Sequence, residues 1–271
     1  MPVALPTAYN DGPEVSPMIA SYNTLSERLL CEARWKDPYP AHDEWAVELE
    51  ELLQFLLAQS RLDAFWPRLT GPRPQERDDA LQEIRIARFL DANGYPVVLW
   101  EPPGNGNYIG EFSVGKFSPS VFVEIKSPGW EAELSKEERE VGRAKEPKYQ
   151  EQELRGGPDG PWQPIRQSIR KAYPKFRSDQ PNLLVIADDR FMSLTEWGNL
   201  APEQALFIRS TALGEFGYFT TNLFENLGGI ALFSALNYVE GGLQYKFTLY
   251  PNPMARAETA LPTAFVKSFS Q

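Results

Sequence analysis

The chain has 271 residues, 42% of them hydrophobic, and a formal net charge of −10. This length suits one large domain or a domain with an extension. No apolar run reaches about 18 residues and the N-terminus lacks the basic-then-apolar order of a secretory signal, so we expect a soluble cytoplasmic protein without a membrane partner.

The chain has few histidine and cysteine residues, and this limits the kinds of metal site and catalytic nucleophile that it can contain. Cys31 is the only cysteine, so no intramolecular disulfide can form, and His42 is the only histidine. A zinc site built from these residue types has too few ligands, and a serine–histidine or cysteine–histidine nucleophile would have to use His42. His42 precedes an amphipathic helix, where a role at the helix entry is favoured over catalysis. The working groups are therefore expected among Asp, Glu, Lys or a bound metal ion.

The N-terminal quarter of the chain predicts helices that precede the main domain. Residues 1–20 contain several prolines and little periodicity, which indicates an extended or loosely ordered arm. Residues 23–69 are helical in pattern and carry one apolar stripe, made of Trp45, Leu49, Leu52, Leu53 and Leu56. The segment TGPRP at 70–74 breaks that pattern. We therefore expect an arm and helical extension over 1–74 and a main domain over 75–271.

The main domain predicts a helix, three strands, a second helix and a fourth strand. The first helix covers 75–92 and is ended by Asn93-Gly94. The elements that follow are strands over 96–101, 109–114 and 120–127, a helix over 163–177 that Pro174 can end early, and a buried strand over 182–188. Residues 228–250 read as two more strands around a Gly-Gly turn. The order α-β-β-β-α-β is typical of an α/β (α+β) domain in which helices pack on a mixed sheet.

Two charged side chains interrupt the most apolar of these strands. In the segment VFVEIKS, Glu124 and Lys126 point to the same side as Phe122, because side chains alternate along a strand. A buried charge is costly unless it is paired or binds an ion. This strand therefore needs either partners or a function for Glu124 and Lys126.

Two further carboxylates stand at positions where a solvent-facing residue is not expected. Glu83 lies in the middle of an apolar helical band formed by Ile84, Ile86, Ala87 and Leu90. Glu111 shares a strand face with Ile109 and Ser113, opposite Phe112 and Val114. We expect Glu83, Glu111, Glu124 and Lys126 to converge in one cleft at the edge of the sheet.

Such a group of carboxylates suits a hard divalent cation. Mg²⁺ prefers oxygen ligands and usually takes one or two protein carboxylates together with waters and substrate phosphates. Such an ion can polarise a phosphoryl oxygen and help to generate hydroxide from bound water. Lys126, beside it, can orient that water or stabilise negative charge on a phosphate. The structural alternative is a buried Glu124–Lys126 ion pair, with Glu83 and Glu111 bonded to backbone or water.

Although the chain is acidic overall, one of its segments is basic. Residues 139–177 hold ten Lys or Arg side chains and five Asp or Glu side chains. In the second predicted helix, Arg166, Arg170 and Lys171 fall outside the apolar stripe. This face is either a solvated helix surface or a surface that touches a phosphate backbone.

The order of these elements and their charged residues resembles the PD-(D/E)xK superfamily of restriction-endonuclease-like nucleases. The resemblance covers the stretch LQEIRIARFLDANGYPVVLWEPPGNGNYIGEFSVGKFSPSVFVEIKSP and continues over 163–188. By this resemblance, Glu124 and Lys126 form the E-x-K pair, Glu111 is the preceding acid, and Glu83 is the glutamate of the first helix. Gln167 corresponds, more weakly, to a polar residue that some families place on the second helix.

The resemblance implies a restriction-endonuclease-like αβββαβ core and a nuclease that depends on Mg²⁺ or Mn²⁺. Glu111, Glu124 and the carbonyl of Ile125 would bind the metal, Lys126 would assist the attacking water, and Glu83 would order the site from the helix. Nucleic acid, with DNA favoured, is the expected partner.

The sequence departs from the family pattern in two ways. The middle acid of the family is usually Asp, commonly preceded by Pro, whereas this chain has Gly110-Glu111. The segments 1–74 and 189–271 have no counterpart in the core motif, and such additions often determine the target or the oligomeric state, which leaves a homodimer open. Two alternatives follow: an inactive nuclease fold that serves as a nucleic-acid-binding or assembly module, and a protein-binding domain whose basic helix is covered by the N-terminal extension.

Overall fold

The computed structural model describes the chain over residues 22–34, 43–116, 118–127, 162–187, 200–208, 216–238 and 242–269. The predicted N-terminal arm, His42, the side chain of Trp45 and nearly all of the polar segment between the third strand and the second helix lie outside these residues.

Within the described residues, three helices precede the first helix of the main domain, which agrees with the helical pattern predicted over 23–69. They are α1 (Leu25–Glu32), α2 (Asp43–Ala58) and α3 (Leu62–Thr70). The predicted break follows α3, and α4 (Pro74–Ala92) begins with a proline, whose fixed φ suits the first turn of a helix. Helix α4 ends directly before Asn93-Gly94, as predicted.

A six-stranded mixed sheet forms the centre of the molecule. Its strands are β1 (Val97–Trp100), β2 (Phe112–Val114), β3 (Val121–Lys126), β4 (Asn182–Ala187), β5 (Gly229–Tyr238) and β6 (Gly242–Pro251). They lie side by side in sequence order. Strand β3 pairs with β4, and β4 with β5, in parallel, while the other neighbours are antiparallel. The predicted mixed sheet with packed helices is therefore confirmed at the level of the α/β (α+β) class.

The second helix of the main domain is shorter than predicted. Helix α5 covers Gln163–Ala172, and the 3₁₀ turn Tyr173–Lys175 follows it. Pro174 lies inside that turn, where its missing N–H cannot continue the α-helix. Two short helices, α6 (Leu200–Leu206) and α7 (Thr263–Phe269), follow later in the chain. None of the helices in the described part of the chain is long and apolar enough to span a membrane.

Alternation along β3 sends its side chains to two different cores. Val121, Val123 and Ile125 pack on one face of the sheet with Ile86, Ala87 and Leu90 of α4. Phe122 packs on the other face with Ile165 and Ile169 of α5. Glu124 and Lys126 share the face of Phe122, so the strand places both charges on the side of α5.

The N-terminal helices share a core with α4. The stripe Leu49, Leu52, Leu53 and Leu56 of α2 is buried together with Ala80, Leu81 and Ile84 of α4. A buried ion pair adds to this contact, since Arg85 Nε lies 2.8 Å from Glu48 Oε1. Tyr245 of β6 donates a hydrogen bond of 2.5 Å to the same carboxylate oxygen. Helix α2, helix α4 and the edge strand β6 therefore meet at one buried carboxylate.

Candidate active site

Glu124 is the centre of the candidate site. Its side chain is 0% exposed. Its Oε1 accepts a hydrogen bond of 2.5 Å from Lys126 Nζ, and the Nζ of Lys175 lies 2.6 Å from the same oxygen. The partners that the apolar strand required are therefore two lysines, one from β3 itself and one from the turn after α5.

The second carboxylate oxygen of Glu124 is buried and accepts no hydrogen bond within the described residues. Its Oε2 has no hydrogen-bond partner among the described residues. Leaving a buried carboxylate oxygen unsatisfied costs on the order of 1–3 kcal/mol or more, so native proteins seldom do so without a reason. Glu124 therefore has one oxygen that faces two ammonium groups and a second oxygen that has no partner in the described part of the chain.

Lys126 is directed along its own strand as well as toward Glu124. Its side chain is 26% exposed, and its Nζ donates a further hydrogen bond of 3.2 Å to the carbonyl of Ile125. The ammonium therefore touches two of the oxygen atoms that the sequence suggested as metal ligands.

Glu111 lies directly before β2, which is shorter than the predicted strand over 109–114. Its backbone N–H nevertheless donates to the carbonyl of Val123, at 3.2 Å, so the residue stays beside β3. Phe112 and Val114 pack into the core on the α4 side, and alternation directs Glu111 to the side of Glu124. Its Oε1 lies 4.0 Å from Lys175 Nζ, so one ammonium reaches both carboxylates.

The glycine before Glu111 has a steric cause. A Cβ at Gly110 would stand 2.3 Å from the ring of Phe122, a distance that no side chain can adopt. Proline, the residue that often precedes the acid in the resembled family, would meet the same ring. Here, therefore, the departure from the family pattern is tied to the packing of Phe122.

The pKa of Glu111 is raised to about 7, chiefly because burial penalises its charged form. The negative charges of Glu83 and Glu124 raise this pKa further, while Lys175 and Lys126 lower it. In the metal-free protein Glu111 therefore holds its proton more tightly than an exposed carboxylate does.

Glu83 is coupled to Glu111 and Glu124 through its charge. It lies on α4, the helix that packs on the opposite face of the sheet from α5, and it acts on Glu111 through its charge. Its two oxygens accept hydrogen bonds of 2.7 and 2.5 Å from Arg68 of α3. Burial raises the pKa of Glu83, and the guanidinium of Arg68 opposes that shift. The structure thus brings Glu111, Glu124 and Lys126 together and joins Glu83 to them electrostatically.

Two cations of this region have no signal in the sequence pattern. Lys175 belongs to the basic segment, but it follows Pro174, where the predicted helix loses its phase. Arg68 lies in the N-terminal extension, which the core motif does not include. Only the packing of distant segments could place them. We use the term carboxylate–lysine cluster for Glu111, Glu124, Lys126 and Lys175.

The predicted basic face of α5 is only partly exposed. Arg166 was expected outside the apolar stripe, but it is 4% exposed, and its Nη2 donates to the carbonyls of Gln204 and Phe216, both at 3.3 Å. Its guanidinium also lies over the ring of Tyr218. The prediction of a surface position for Arg166 is therefore wrong, because α6 and the segment around Tyr218 cover it. Arg170, Lys171 and the weakly assigned Gln167 are exposed.

A divalent cation such as Mg²⁺ needs oxygen donors. No group of three or more His, Cys, Asp and Glu side chains within the described ranges is placed to hold a metal ion. The predicted ligand set is smaller, since it consists of Glu111, Glu124 and the carbonyl of Ile125, and Mg²⁺ binds through one or two carboxylates with waters. Glu124 Oε2, which accepts no hydrogen bond from any residue that the structure describes, supplies a donor of the required kind. The residues present therefore fit Mg²⁺ or Mn²⁺ in donor chemistry.

Comparisons with known proteins give no relative for this chain. No family model matches it. No characterised protein and no solved structure matches it either.

Proposed function

We propose that this chain is a metal-dependent nuclease that hydrolyses phosphodiester bonds in nucleic acid, with DNA as the favoured substrate. The proposal includes the resemblance to the PD-(D/E)xK superfamily, with α4, β1, β2, β3, α5 and β4 as its restriction-endonuclease-like core. These elements follow one another in the α-β-β-β-α-β order that the resemblance predicts.

One observation carries this proposal. The fully buried Glu124 holds two lysines on one oxygen, leaves the other oxygen unpartnered, and lies beside Glu111, whose pKa is about 7. An ion pair that served stability alone would gain from satisfying both oxygens. A strongly perturbed carboxylate beside a second carboxylate and two ammonium groups favours a functional site.

Hydrolysis of a phosphodiester needs an activated water and a compensating charge for the phosphate. A bound Mg²⁺ or Mn²⁺ would polarise a phosphoryl oxygen and acidify a bound water. Lys126, partly exposed and fixed by Glu124, offers a positive charge to the reacting phosphate. Glu111 and Glu124 would hold the metal ion, and Glu124 orients the lysines through its Oε1. Glu83 keeps Arg68 in place and raises the proton affinity of Glu111.

The decisive experiment is cleavage of supercoiled plasmid, linear duplex and single-stranded oligonucleotides, of DNA and of RNA, by the purified chain. Mg²⁺ and Mn²⁺ are compared with a chelator, and Lys126→Ala is purified in parallel to expose a contaminating nuclease. We expect cleavage of at least one substrate that needs the metal ion and is lost in the variant. Absence of cleavage with every substrate, together with no Mn²⁺ binding in calorimetry, would refute the proposal.

A second candidate is a non-catalytic nucleic-acid-binding or assembly module. It is favoured by the internal neutralisation of the cluster, because Glu124 already has two lysine partners. Nucleic-acid binding that is independent of metal ions, with no cleavage, would support this function over the first.

A further inference from the structure

Lys175 has a position that neither the strand pattern nor the proposed ligand set explains. Its side chain is 21% exposed, and its Nζ lies 2.6 Å from Glu124 Oε1 and 4.0 Å from Glu111 Oε1. Lys126 already pairs with Glu124, and Lys175 is the ammonium that also reaches Glu111. The two lysines balance the two carboxylates in the free protein, so a divalent cation held by those carboxylates would leave both ammonium groups available to an anion.

Hydrogen bonds from the segment that joins β1 to β2 hold the backbone of Lys175 in place. The N–H of Asn105 donates to the Lys175 carbonyl at 2.8 Å, and Asn105 Nδ2 donates to the Pro174 carbonyl at 3.3 Å. A Cβ at Gly104 would stand 2.8 Å from the Lys175 carbonyl, so glycine permits this close approach. The turn that carries Lys175 is therefore held against the segment that leads to Glu111.

The ammonium of Lys175 also lies between the two carboxylates proposed to hold a divalent cation. A positive charge within about 4 Å of a carboxylate competes with any other cation for it. The same ammonium can form a charge-assisted hydrogen bond to a phosphate oxygen once the carboxylates have another counter-ion.

We infer that Lys175 is a second substrate-binding lysine of this site: it neutralises Glu111 and Glu124 in the free protein and binds a phosphate oxygen of nucleic acid when they hold a divalent cation. The inference rests on the proposed function and adds to it a residue from outside the E-x-K strand. It predicts two opposite effects of one substitution. Loss of the Lys175 charge should strengthen metal binding and weaken substrate binding.

The test compares Lys175→Met with Lys175→Arg and Lys267→Met. Lys267 is an exposed lysine on α7, a helix that packs on the other face of the sheet, so its substitution is a control for the loss of one charge. Mn²⁺ affinity is measured by calorimetry on the metal-free proteins, and steady-state kinetics are measured on the substrate that the parent cleaves. Lys175→Met keeps Lys126 on Glu124, so the variant is expected to fold, and circular dichroism checks this.

We expect Lys175→Met to bind Mn²⁺ about tenfold more tightly, because the competing charge is gone. Its kcat/KM should fall by about tenfold to a hundredfold, mainly through KM, because one charged hydrogen bond to the phosphate is lost. Lys175→Arg should return both quantities toward those of the parent, and Lys267→Met should match the parent. A role limited to packing would weaken metal and substrate binding together.

The outcomes separate this inference from the proposed function. If the parent cleaves but Lys175→Met shows unchanged or weaker Mn²⁺ binding, or unchanged kcat/KM, the inference is overturned and the proposed function stands. If Lys175→Met does not fold, Lys175→Arg becomes the test of the inference. Because arginine keeps the positive charge, the inference requires Lys175→Arg to bind Mn²⁺ and to cleave nearly as the parent does. If the parent neither binds Mn²⁺ nor cleaves, the proposed function fails and the inference with it.

Discussion

Glu124 is the residue on which the proposed function depends. Transfer of a carboxylate from water to a buried position costs several kcal/mol, and only well-placed partners offset it. Lys126 and Lys175 supply that compensation on one oxygen, while the other has no partner among the described residues. The proposed metal binding rests on that second oxygen.

Substitutions of Lys126 and Glu124 distinguish assistance by a charge from coordination. Lys126→Ala is expected to lower kcat by about a hundredfold or more, because it removes the charge beside the phosphate, whereas Mn²⁺ binding should persist. Glu124→Gln should abolish both Mn²⁺ binding and cleavage, because it removes the coordinating carboxylate. Calorimetry and cleavage kinetics on proteins checked by thermal melts measure the two effects. Folded variants that cleave like the parent would assign the activity to another site.

Glu111 gives a prediction for the pH dependence of stability in the metal-free protein. Its folded pKa of about 7 lies above the value in the unfolded chain, so the native state holds a proton that the unfolded state releases. Stability from this group is therefore complete below the unfolded pKa and is lost as the pH rises toward 7. Glu111→Gln lacks the titrating group and should not show that loss. Its free energy of unfolding should therefore rise relative to that of the parent by on the order of 3 kcal/mol between pH 4.5 and pH 8.

Urea unfolding of the parent and of Glu111→Gln at several pH values measures this difference. Glu101→Gln is the matched control, because Glu101 is an exposed carboxylate in the same segment of the chain. An equal pH dependence for the parent and Glu111→Gln would show that Glu111 titrates as an ordinary surface carboxylate.

Helix α5 combines a buried arginine with an exposed basic end. Arg166 is enclosed and donates to two carbonyls, while Arg170 and Lys171 face outward at the last turn. The positive charges at that end also complement the helix dipole, which is a structural reason for their presence. The exposed positive charge of the helix is therefore concentrated at its C-terminal end.

The exposed end of α5 predicts how nucleic-acid binding responds to salt. If Arg170 and Lys171 touch phosphates, replacing both by alanine should weaken binding about equally for all sequences and reduce the log–log salt slope by about 2. Fluorescence anisotropy over a salt series measures affinity and slope together. The double variant Lys246→Ala/Lys267→Ala removes two exposed charges elsewhere and controls for net charge. An unchanged slope in the α5 variant would identify its basic end as a solvated surface.

At the scale of the whole molecule, the N-terminal helices are part of the folded core. Glu48 of α2 binds Arg85 of α4 through two hydrogen bonds of 2.8 Å and accepts a third from Tyr245 of β6. Burial and the charge of Glu48 raise the pKa of Tyr245, which keeps its hydroxyl proton in this contact. The extension therefore supports α4, the helix that carries Glu83.

Loss of this buried carboxylate should destabilise the whole fold. Glu48→Ala removes a buried carboxylate that accepts hydrogen bonds from both Arg85 and Tyr245 and is expected to cost about 3–5 kcal/mol. Glu51→Ala, which breaks the more exposed pair with Arg88, should cost only about 0–1 kcal/mol. Equilibrium unfolding in urea compares the two variants, and equal small losses would mean that the buried pair contributes little.

The sequence by itself determined the elements of the main domain and the shared strand face of Glu124 and Lys126. Apolar periodicity depends on local geometry, so it located α4, β3, β4 and the hairpin of β5 and β6, and alternation along β3 placed Glu124 and Lys126 on one face. The break at 70–74 and the end of α5 near Pro174 follow equally from local backbone chemistry.

Only the tertiary structure decided which cations meet those carboxylates and which basic side chains remain exposed. Lys175 reaches Glu124 because the turn after α5 is fastened by Asn105, and Arg68 reaches Glu83 because α3 packs on α4. Arg166 has the same helical pattern as its exposed neighbours, yet it is buried because Gln204, Phe216 and Tyr218 come from distant parts of the chain. Contacts across such separations depend on how whole elements pack, and a local period of 2.0 or 3.6 residues carries no information about that packing.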